Sequence, residues 1–242
     1  MLNIYGDRGN IIALTRRAEW RGIDVAVTKL GVGVPVDVDN TDIIFVGGGQ
    51  DKEQLIVCED FQGSKGKSIK EAVETGAVLL SICGGYQLLG HYFRTGTGEV
   101  LRGISLFDAF TIAGKRRFIG NVLVESELAG QKRTLVGFEN HSGRTFLGAD
   151  VKPLGRSLVG FGNNGEDGTE GAVYRNAYGC YLHGSLLPKN PWFADHLLLT
   201  ALRRRYGDTV ELAPLDDTVE ERAHHSVIEH MRRLGTIRSG VA

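Results

Sequence analysis

A strand pattern that runs directly into a cysteine and two glycines constrains the fold of this chain more than any other feature. Residues 77–82 are almost continuously apolar, which is typical of a strand buried in a parallel sheet. Cys83, Gly84 and Gly85 follow, and the next residues have the pattern of a helix start. Small residues suit a sharp turn from strand to helix, so we expect Cys83 at a nucleophile elbow. A helix N-terminus there favours the thiolate, the reactive form of cysteine. The alternative is a buried structural cysteine.

Helix and strand patterns alternate along the segment that precedes this elbow. We predict a helix over residues 10–22 capped by Asn10, a strand over 24–30, a strand over 42–46 and a helix over 68–75. This order predicts an α/β fold with a doubly wound, mainly parallel sheet flanked by helices. Sites in such sheets lie at the carboxyl ends of strands, where both Cys83 and the glycine triplet at 47–49 fall.

The pattern changes after residue 101. Short β-like segments at 118–124, 134–138 and 157–161 alternate with glycine-rich turns, and we expect them to form an added antiparallel region, with a loop over 162–168. A strand over 177–182 leads to His183, and a helix follows over 191–205. The charged tail from 211 predicts one more helix or a partly ordered extension. We therefore expect one domain over residues 1–207, with 208–242 as its C-terminal extension.

Composition limits the classes of partner and site. The 242 residues carry a net charge of −1, which argues against nucleic acid or an anionic membrane surface as the main partner. The three cysteines lack metal-ligand spacing, so we expect no metal and no cofactor, and their odd number suits a reducing compartment. The sequence contains neither a signal-peptide pattern nor an apolar run of about 18 residues, which predicts a cytoplasmic protein without membrane insertion. It also lacks a phosphate-binding loop, because residues 63–68 have the wrong spacing.

A cysteine nucleophile needs a base that takes and returns its proton. We predict that His183 is this base, because it ends a strand of the same sheet. His141 is the competing candidate, but it lies in a turn-like Asn-His-Ser-Gly segment, and we interpret it as structural or near the site. The histidines of the tail have the pattern of solvent-facing residues: His224, His225 and His230.

The reaction of a thiolate with an acyl group also needs donors for the oxyanion that forms. Gly84 directly follows the nucleophile and supplies one backbone N–H. Gly48 and Gly49 end another strand, and glycine lets a backbone approach the substrate closely. We therefore predict an oxyanion hole formed by Gly48, Gly49 and Gly84, with an ordinary turn as the alternative for the triplet.

Five segments together carry a family resemblance: 3–12, 45–51, 82–90, 137–146 and 181–184. They resemble the class I glutamine amidotransferases, and within them the cobyric-acid-synthase-like branch. The resemblance implies a glutaminase subunit that hydrolyses L-glutamine to glutamate and ammonia. It further implies a heterodimer with a MurT-type, Mur-ligase-like ATPase, which would use the ammonia to amidate the D-glutamate α-carboxylate of lipid II in peptidoglycan synthesis.

The resemblance also implies roles for particular residues. An arginine before the Phe-Ile-Gly segment would hold the glutamine, and Arg117 matches it best, with Arg116 as its close alternative. Ser185 stands where the usual triad has a glutamate, so the family pattern predicts a Cys–His dyad. A third group could come from elsewhere in the chain, and Asp7 is our candidate for it. The pattern also places the first strand of the sheet before Asn3, so we expect this chain to begin inside that segment.

Three other functions compete with this interpretation. The chain could serve a cobyrinic-acid-type amidotransferase, act as a cysteine peptidase or amidase on the same fold, or be a non-catalytic scaffold subunit. An arginine clamp and a glutamine-sized pocket favour a glutaminase, because a peptidase needs an open groove.

Overall fold

The computed structural model describes residues 7–49 and 51–236. Its helices are α1 (Arg8–Glu19), α2 (Asp51–Phe61), α3 (Ser64–Glu74), α4 (Gly84–Leu89), α5 (Pro191–Tyr206) and α6 (Thr218–Arg233), with a short 3-10 helix at Leu187–Lys189. Its strands are β1 (Ile43–Val46), β2 (Val78–Ile82), β3 (Tyr92–Arg94), β4 (Val100–Arg102), β5 (Ala109–Leu128), β6 (Gln131–Leu147), β7 (Gly155–Val159), β8 (Thr169–Glu170), β9 (Ala172–Tyr174) and β10 (Ala177–Cys180). None of the described helices has the length and apolar character needed to cross a bilayer.

The first sheet has the order β1-β2-β10-β9 and places the site. Strands β1, β2 and β10 are parallel, and Ser81 of β2 pairs with both Val46 and Gly179. The carboxyl ends of these strands therefore lie side by side. All of β2 is buried, as its continuous apolar run predicts. The predicted α/β architecture is confirmed.

The second sheet is built around a long β5–β6 hairpin, with β3, β4, β7 and β8 beside it. The predicted antiparallel segments are confirmed, but the first two are much longer than expected, since β5 and β6 pair from Ala109 with Leu147 to Leu128 with Gln131. The third, β7, begins and ends two residues before the predicted 157–161. The pairing is interrupted between Ala113 and Phe118, where β5 bulges. Helix α6 packs on the hairpin through Met231, against a small apolar cluster.

Several local predictions are wrong. Residues 24–30 are exposed coil instead of a strand. No strand within residues 7–49 and 51–236 pairs with them, and alternation of side chains alone does not form a strand. Asn10 does not cap α1 but lies inside it, where its buried side chain accepts the Leu187 N–H at 2.9 Å. Helix α2 was not predicted. The expectation about the first strand concerns residues that lie outside the described part of the chain.

Two predictions about histidines are also wrong. The segment around His141 is not a turn, because it forms the middle of β6. His224 does not face solvent: it is buried, its Nε2 lies 2.9 Å from the Thr134 hydroxyl and its Nδ1 lies 2.9 Å from the Lys189 carbonyl. His225 and His230 are exposed, as predicted.

A buried ion-pair cluster joins α1 to the C-terminal part of the chain. The Arg17 guanidinium donates from Nε to Asp195 at 2.7 Å and from Nη1 to Asp217 at 2.5 Å. The Arg17 side chain is only 4% exposed, so these carboxylates replace the water that it loses on folding. The cluster holds the N-terminal helix, which follows Asp7, against α5.

Loss of this arginine tests the importance of the cluster. Arg17→Ala removes the arginine that pairs with Asp217 and leaves Asp195 with Arg21 alone, so we expect it to lower the free energy of unfolding by about 3 kcal/mol. Arg16→Ala is the matched control, because Arg16 is exposed and pairs with Glu19 on the surface, and it should cost less than about 1 kcal/mol. Urea unfolding of the two variants measures this difference, and equal losses would contradict the assignment.

Candidate active site

Cys83 occupies a strained turn between β2 and α4. Its φ of 51° and ψ of −107° are unusual for a residue with a side chain. The turn is tight, since a Cβ on Gly85 would come within 2.7 Å of the Val46 carbonyl oxygen. These features match the elbow geometry predicted from the sequence, which presents a side chain at the carboxyl edge of the sheet.

The other two cysteines are poor candidates for a nucleophile. Burial raises the pKa of the Cys180 thiol well above its ordinary value, and it also raises the pKa of Cys58. Both thiols therefore remain protonated and unreactive at neutral pH.

His183 follows β10 and reaches the thiol. Its backbone pairs with Phe138 of β6 in both directions, at 3.1 and 2.8 Å, which fixes the strand end. The buried imidazole lies beside the Cys83 side chain, and its Nδ1 lies 3.2 Å from the Asp7 carboxylate. Burial opposes the charged form of the imidazole, but its interactions with Asp7 and Cys83 outweigh burial and raise the pKa of His183 to about 9. The structure thus brings together the two residues that the sequence pointed to, and adds the carboxylate considered as a third group.

The Asp7 carboxylate has a second contact. While Oδ1 faces His183, Oδ2 accepts the backbone N–H of Gly48 at 2.7 Å. Asp7 is completely buried, so it holds the imidazole and the glycine loop in a fixed relation. This loop contact was not foreseen.

The glycine loop and the elbow meet next to the thiol. A Cβ on Gly84 would lie 3.1 Å from the backbone nitrogen of Gly49, which places the two backbones in close contact. The side-chain amide of Gln54 donates to the Gly49 carbonyl at 3.0 Å and fixes this part of the loop. Because the Gly48 N–H is donated to Asp7, the predicted donors that remain for an oxyanion are those of Gly49 and Gly84.

A buried polar network lies behind the elbow. The Tyr181 hydroxyl contacts Gln87 Nε2 at 3.1 Å and the Thr145 hydroxyl at 2.6 Å. His141 stacks on the Tyr181 ring with centroids 3.6 Å apart, and its Nδ1 lies 2.9 Å from the Gly143 carbonyl. Burial lowers the pKa of His141, so it is neutral at pH 7. His141 therefore has a supporting place near the site, in line with its interpretation from the sequence.

Two network residues were missed by sequence reasoning. Gln87 is one helical turn after Cys83, and this spacing is the signal that could have found it. Glu170 is buried and accepts the Tyr181 N–H at 2.6 Å, which supports the strand end before His183. Burial raises the pKa of Glu170 to about 8. No local pattern distinguishes this glutamate from a surface residue.

Arg117 and Arg116 lie on the β5 bulge and point to different groups. Arg117 donates from Nε to the Asn140 side chain at 2.5 Å and from Nη2 to the Asn140 carbonyl at 3.0 Å. The Arg116 guanidinium lies over the Phe161 ring, 5.1 Å from its centroid. Asn140 immediately precedes His141, so Arg117 is the one of the two that is tied to the strand beside the site.

These groups can carry out acyl transfer. A cysteine enzyme that opens an amide uses a thiol, a base beside it, a carboxylate that faces the base and backbone donors for the oxyanion. This strand edge holds all four. Among the described residues, no group of three or more His, Cys, Asp or Glu side chains is arranged to hold a metal ion.

Removing the charge of Asp7 tests the electrostatic part of this site. Asp7→Asn keeps the shape of the side chain, so we expect the pKa of His183 to fall from about 9 towards, or below, its usual 6.5. NMR titration of the imidazole measures it. The exposed Asp208→Asn is the control and should leave the titration unchanged.

The same variant changes how stability depends on pH. Because the pKa of His183 is higher in the folded protein than in the unfolded chain, its protonation stabilises the fold fully below about pH 6.5, and this contribution is lost as the pH rises through about 9. In Asp7→Asn, the free energy of unfolding should therefore fall less between pH 6.5 and about 9 than it does in the wild-type protein. If the pKa of His183 is the same in Asp7→Asn and in the wild-type protein, Asp7 does not control this titration.

Comparison with known proteins agrees with this chemistry. Residues 1–191 match the CobB/CobQ-like glutamine amidotransferase domain. The chain is 41% identical to the lipid II isoglutaminyl synthase (glutamine-hydrolyzing) subunit GatD of Staphylococcus aureus strain N315, over 96% of this chain and 93% of that protein. It is 40% identical to the subunit of the same name from Streptococcus pneumoniae strain ATCC BAA-255 / R6, over 91% of this chain and 84% of that protein.

The fold also has counterparts among solved structures. PurLQS from Thermotoga maritima superimposes with a TM-score of 0.53 at 16% identity, over 71% of this chain and 80% of that one. This likeness concerns the fold alone, whereas the domain match extends over most of the sequence. The chain belongs to the CobB/CobQ-like glutamine amidotransferase family.

Proposed function

We propose that this chain is the glutaminase subunit of a lipid II isoglutaminyl synthase. It hydrolyses L-glutamine to glutamate and ammonia, and it passes the ammonia to a MurT-type ATPase subunit that amidates the D-glutamate α-carboxylate of lipid II. The contact of Cys83 with a buried imidazole that also faces a carboxylate carries this proposal. The two relatives named for this activity, which match nearly the whole chain, support the choice of product.

The reaction proceeds through a thioester. The Cys83 thiolate attacks the side-chain amide carbon of glutamine, and the Gly49 and Gly84 N–H groups stabilise the resulting oxyanion. His183 gives its proton to the amide nitrogen as the C–N bond breaks, which releases ammonia. A water molecule then loses a proton to His183 and attacks the thioester carbonyl, which releases glutamate and regenerates the thiolate.

Asp7 prepares His183 for this proton transfer. It engages Nδ1, so Nε2 is the nitrogen that serves the sulfur and the leaving group. A pKa of about 9 means that His183 holds a proton at neutral pH, which the departing nitrogen needs. The same carboxylate holds Gly48, so the base and the oxyanion loop are positioned together.

Arg117 holds the α-carboxylate of the substrate. Its contacts with Asn140 use Nε and one N–H of Nη2, and the remaining N–H groups are suited to a two-point contact with a carboxylate. Such a clamp would favour a free amino acid over a peptide, because only the free amino acid offers this carboxylate.

The tail and the location complete the proposal. Residues 208–242 extend the domain of residues 1–207, and the packing of α6 on the hairpin supports this view.

We place the protein in the cytoplasm, because its free cysteines and a thiol nucleophile suit a reducing compartment.

Replacement of the nucleophile tests the proposed function. Cys83→Ala should abolish glutamine-dependent amidation of lipid II by the complex with the MurT-type subunit, because no thioester can form. Amidation with added ammonium chloride should persist, since free ammonia bypasses this step. Mass spectrometry of lipid II measures both activities.

Cys58→Ala is the control, and it should keep glutamine-dependent activity. An unchanged glutamine-dependent rate in Cys83→Ala would remove Cys83 as the nucleophile. Loss of both activities in a folded, assembled complex would point to a scaffold role.

A further inference from the structure

The bulge of β5 concentrates positive charge on one surface. Lys115, Arg116 and Arg117 are exposed there, and the half-buried Arg144 lies on the facing part of β6. We call these four residues, together with the neighbouring Ile119, the bulge patch. Its charge is local, because the whole chain has a net charge of −1.

The positive charge of the bulge patch is not neutralised by contact ion pairs. Within residues 7–49 and 51–236, none of its four basic side chains lies in an ion pair with a carboxylate, whereas arginines such as Arg17, Arg175 and Arg205 do. The patch arginines instead contact rings and neutral oxygens. Arg144 lies 3.2 Å from the Phe118 ring centroid and donates to the Arg116 carbonyl at 2.5 Å.

The bulge patch also has an apolar component. Ile119 is 56% exposed, although it lies in the strand next to the buried Phe118. Phe118 stacks on Phe161 with centroids 4.1 Å apart, which gives the surface a rigid base. Arginine, aromatic and aliphatic side chains on a rigid surface are typical of the centre of a protein–protein interface.

The bulge patch lies beside the candidate site. It pairs with the stretch of β6 in which Phe138 is bonded to His183 and His141 stacks on Tyr181. Ammonia that escapes into water is protonated and loses its nucleophilic lone pair, so the subunit that uses it must cover the glutaminase site. A partner placed over that site would reach the bulge patch, because β6 joins the two through Phe138 and His183.

We infer that the bulge patch docks an acidic surface of the ATPase subunit, with Ile119 packed within the contact. This inference rests on the proposed function. Opposite charges across the contact would steer association and fix the orientation in which the two sites face each other. The docking role explains why Lys115 and Arg116 form no ion pair with a carboxylate in the described part of the chain, because the partner then supplies their counter-charges.

Charge reversal of the two outer residues tests the inference. Lys115→Glu/Arg116→Glu should raise the Kd for the cognate MurT-type subunit at least about tenfold, mainly through a slower association rate. The difference from wild type should shrink as the salt concentration rises from about 0.05 M to about 0.5 M, because salt screens the charges. Biolayer interferometry with the full chain measures both. Arg117 is left intact because it is proposed to hold glutamine.

Two further variants make the result specific. Lys29→Glu/Lys152→Glu changes the net charge equally at exposed positions outside the patch, and it should bind like wild type. Lys115→Gln/Arg116→Gln should give an intermediate Kd. Thermal melting by circular dichroism shows that all variants are folded.

The outcomes separate the docking role from the proposed function. An unchanged Kd for the ATPase subunit in Lys115→Glu/Arg116→Glu overturns the docking role. If the Kd is unchanged and only the KM for lipid II rises, the docking role is also overturned, and the patch instead binds an anionic lipid headgroup. Labelling of Cys83 by 6-diazo-5-oxo-L-norleucine reports the glutaminase site independently. A wild-type chain that is labelled but never binds the ATPase subunit overturns the docking role and the heterodimer while leaving the glutaminase intact.

Discussion

One buried carboxylate holds the site together. Asp7 accepts the Gly48 N–H and faces the imidazole of His183, so it links the glycine loop after β1 to the strand end after β10. Burial alone would keep that imidazole neutral, and the negative charge of Asp7 is a large part of what raises its pKa. The base, its protonation and the position of the oxyanion loop therefore depend on one side chain. The Arg17 cluster secures the helix that this side chain precedes.

The parallel sheet supplies the rest of the geometry. Because β1, β2 and β10 are in register, their carboxyl ends bring the glycine loop, Cys83 and His183 to one edge. The β5–β6 hairpin then approaches the same edge, since Phe138 pairs with His183. This arrangement places the hairpin that carries the bulge patch, including Arg117, beside the strand end that carries His183. In our proposal the α/β scaffold contributes the chemistry, and the added hairpin contributes the surfaces that select a substrate and a partner.

The parts that could be predicted from the sequence are those with local signals. A buried strand that ends in Cys-Gly-Gly predicts the elbow, and a strand that ends in His183 predicts the base. The Asp7 contact joins residues 176 positions apart, and no spacing rule gives such a contact, so the sequence offered Asp7 only as a candidate third group. Residues 24–30 alternate like a strand but pair with no strand in the part of the chain that the structure describes, and His224 is buried because α6 packs on the hairpin. Pairing and packing partners are non-local, which is why these two predictions failed.

The central claim is that Cys83, activated by His183, forms a covalent bond with the carbonyl carbon of glutamine. The most direct measurement is peptide mass spectrometry after treatment with 6-diazo-5-oxo-L-norleucine, whose reactive carbon takes the place of the amide. The account predicts a single adduct on Cys83, formed much more slowly in His183→Asn. An adduct on Cys58 or Cys180 in place of Cys83, or none on the folded protein in complex with its partner, would contradict it.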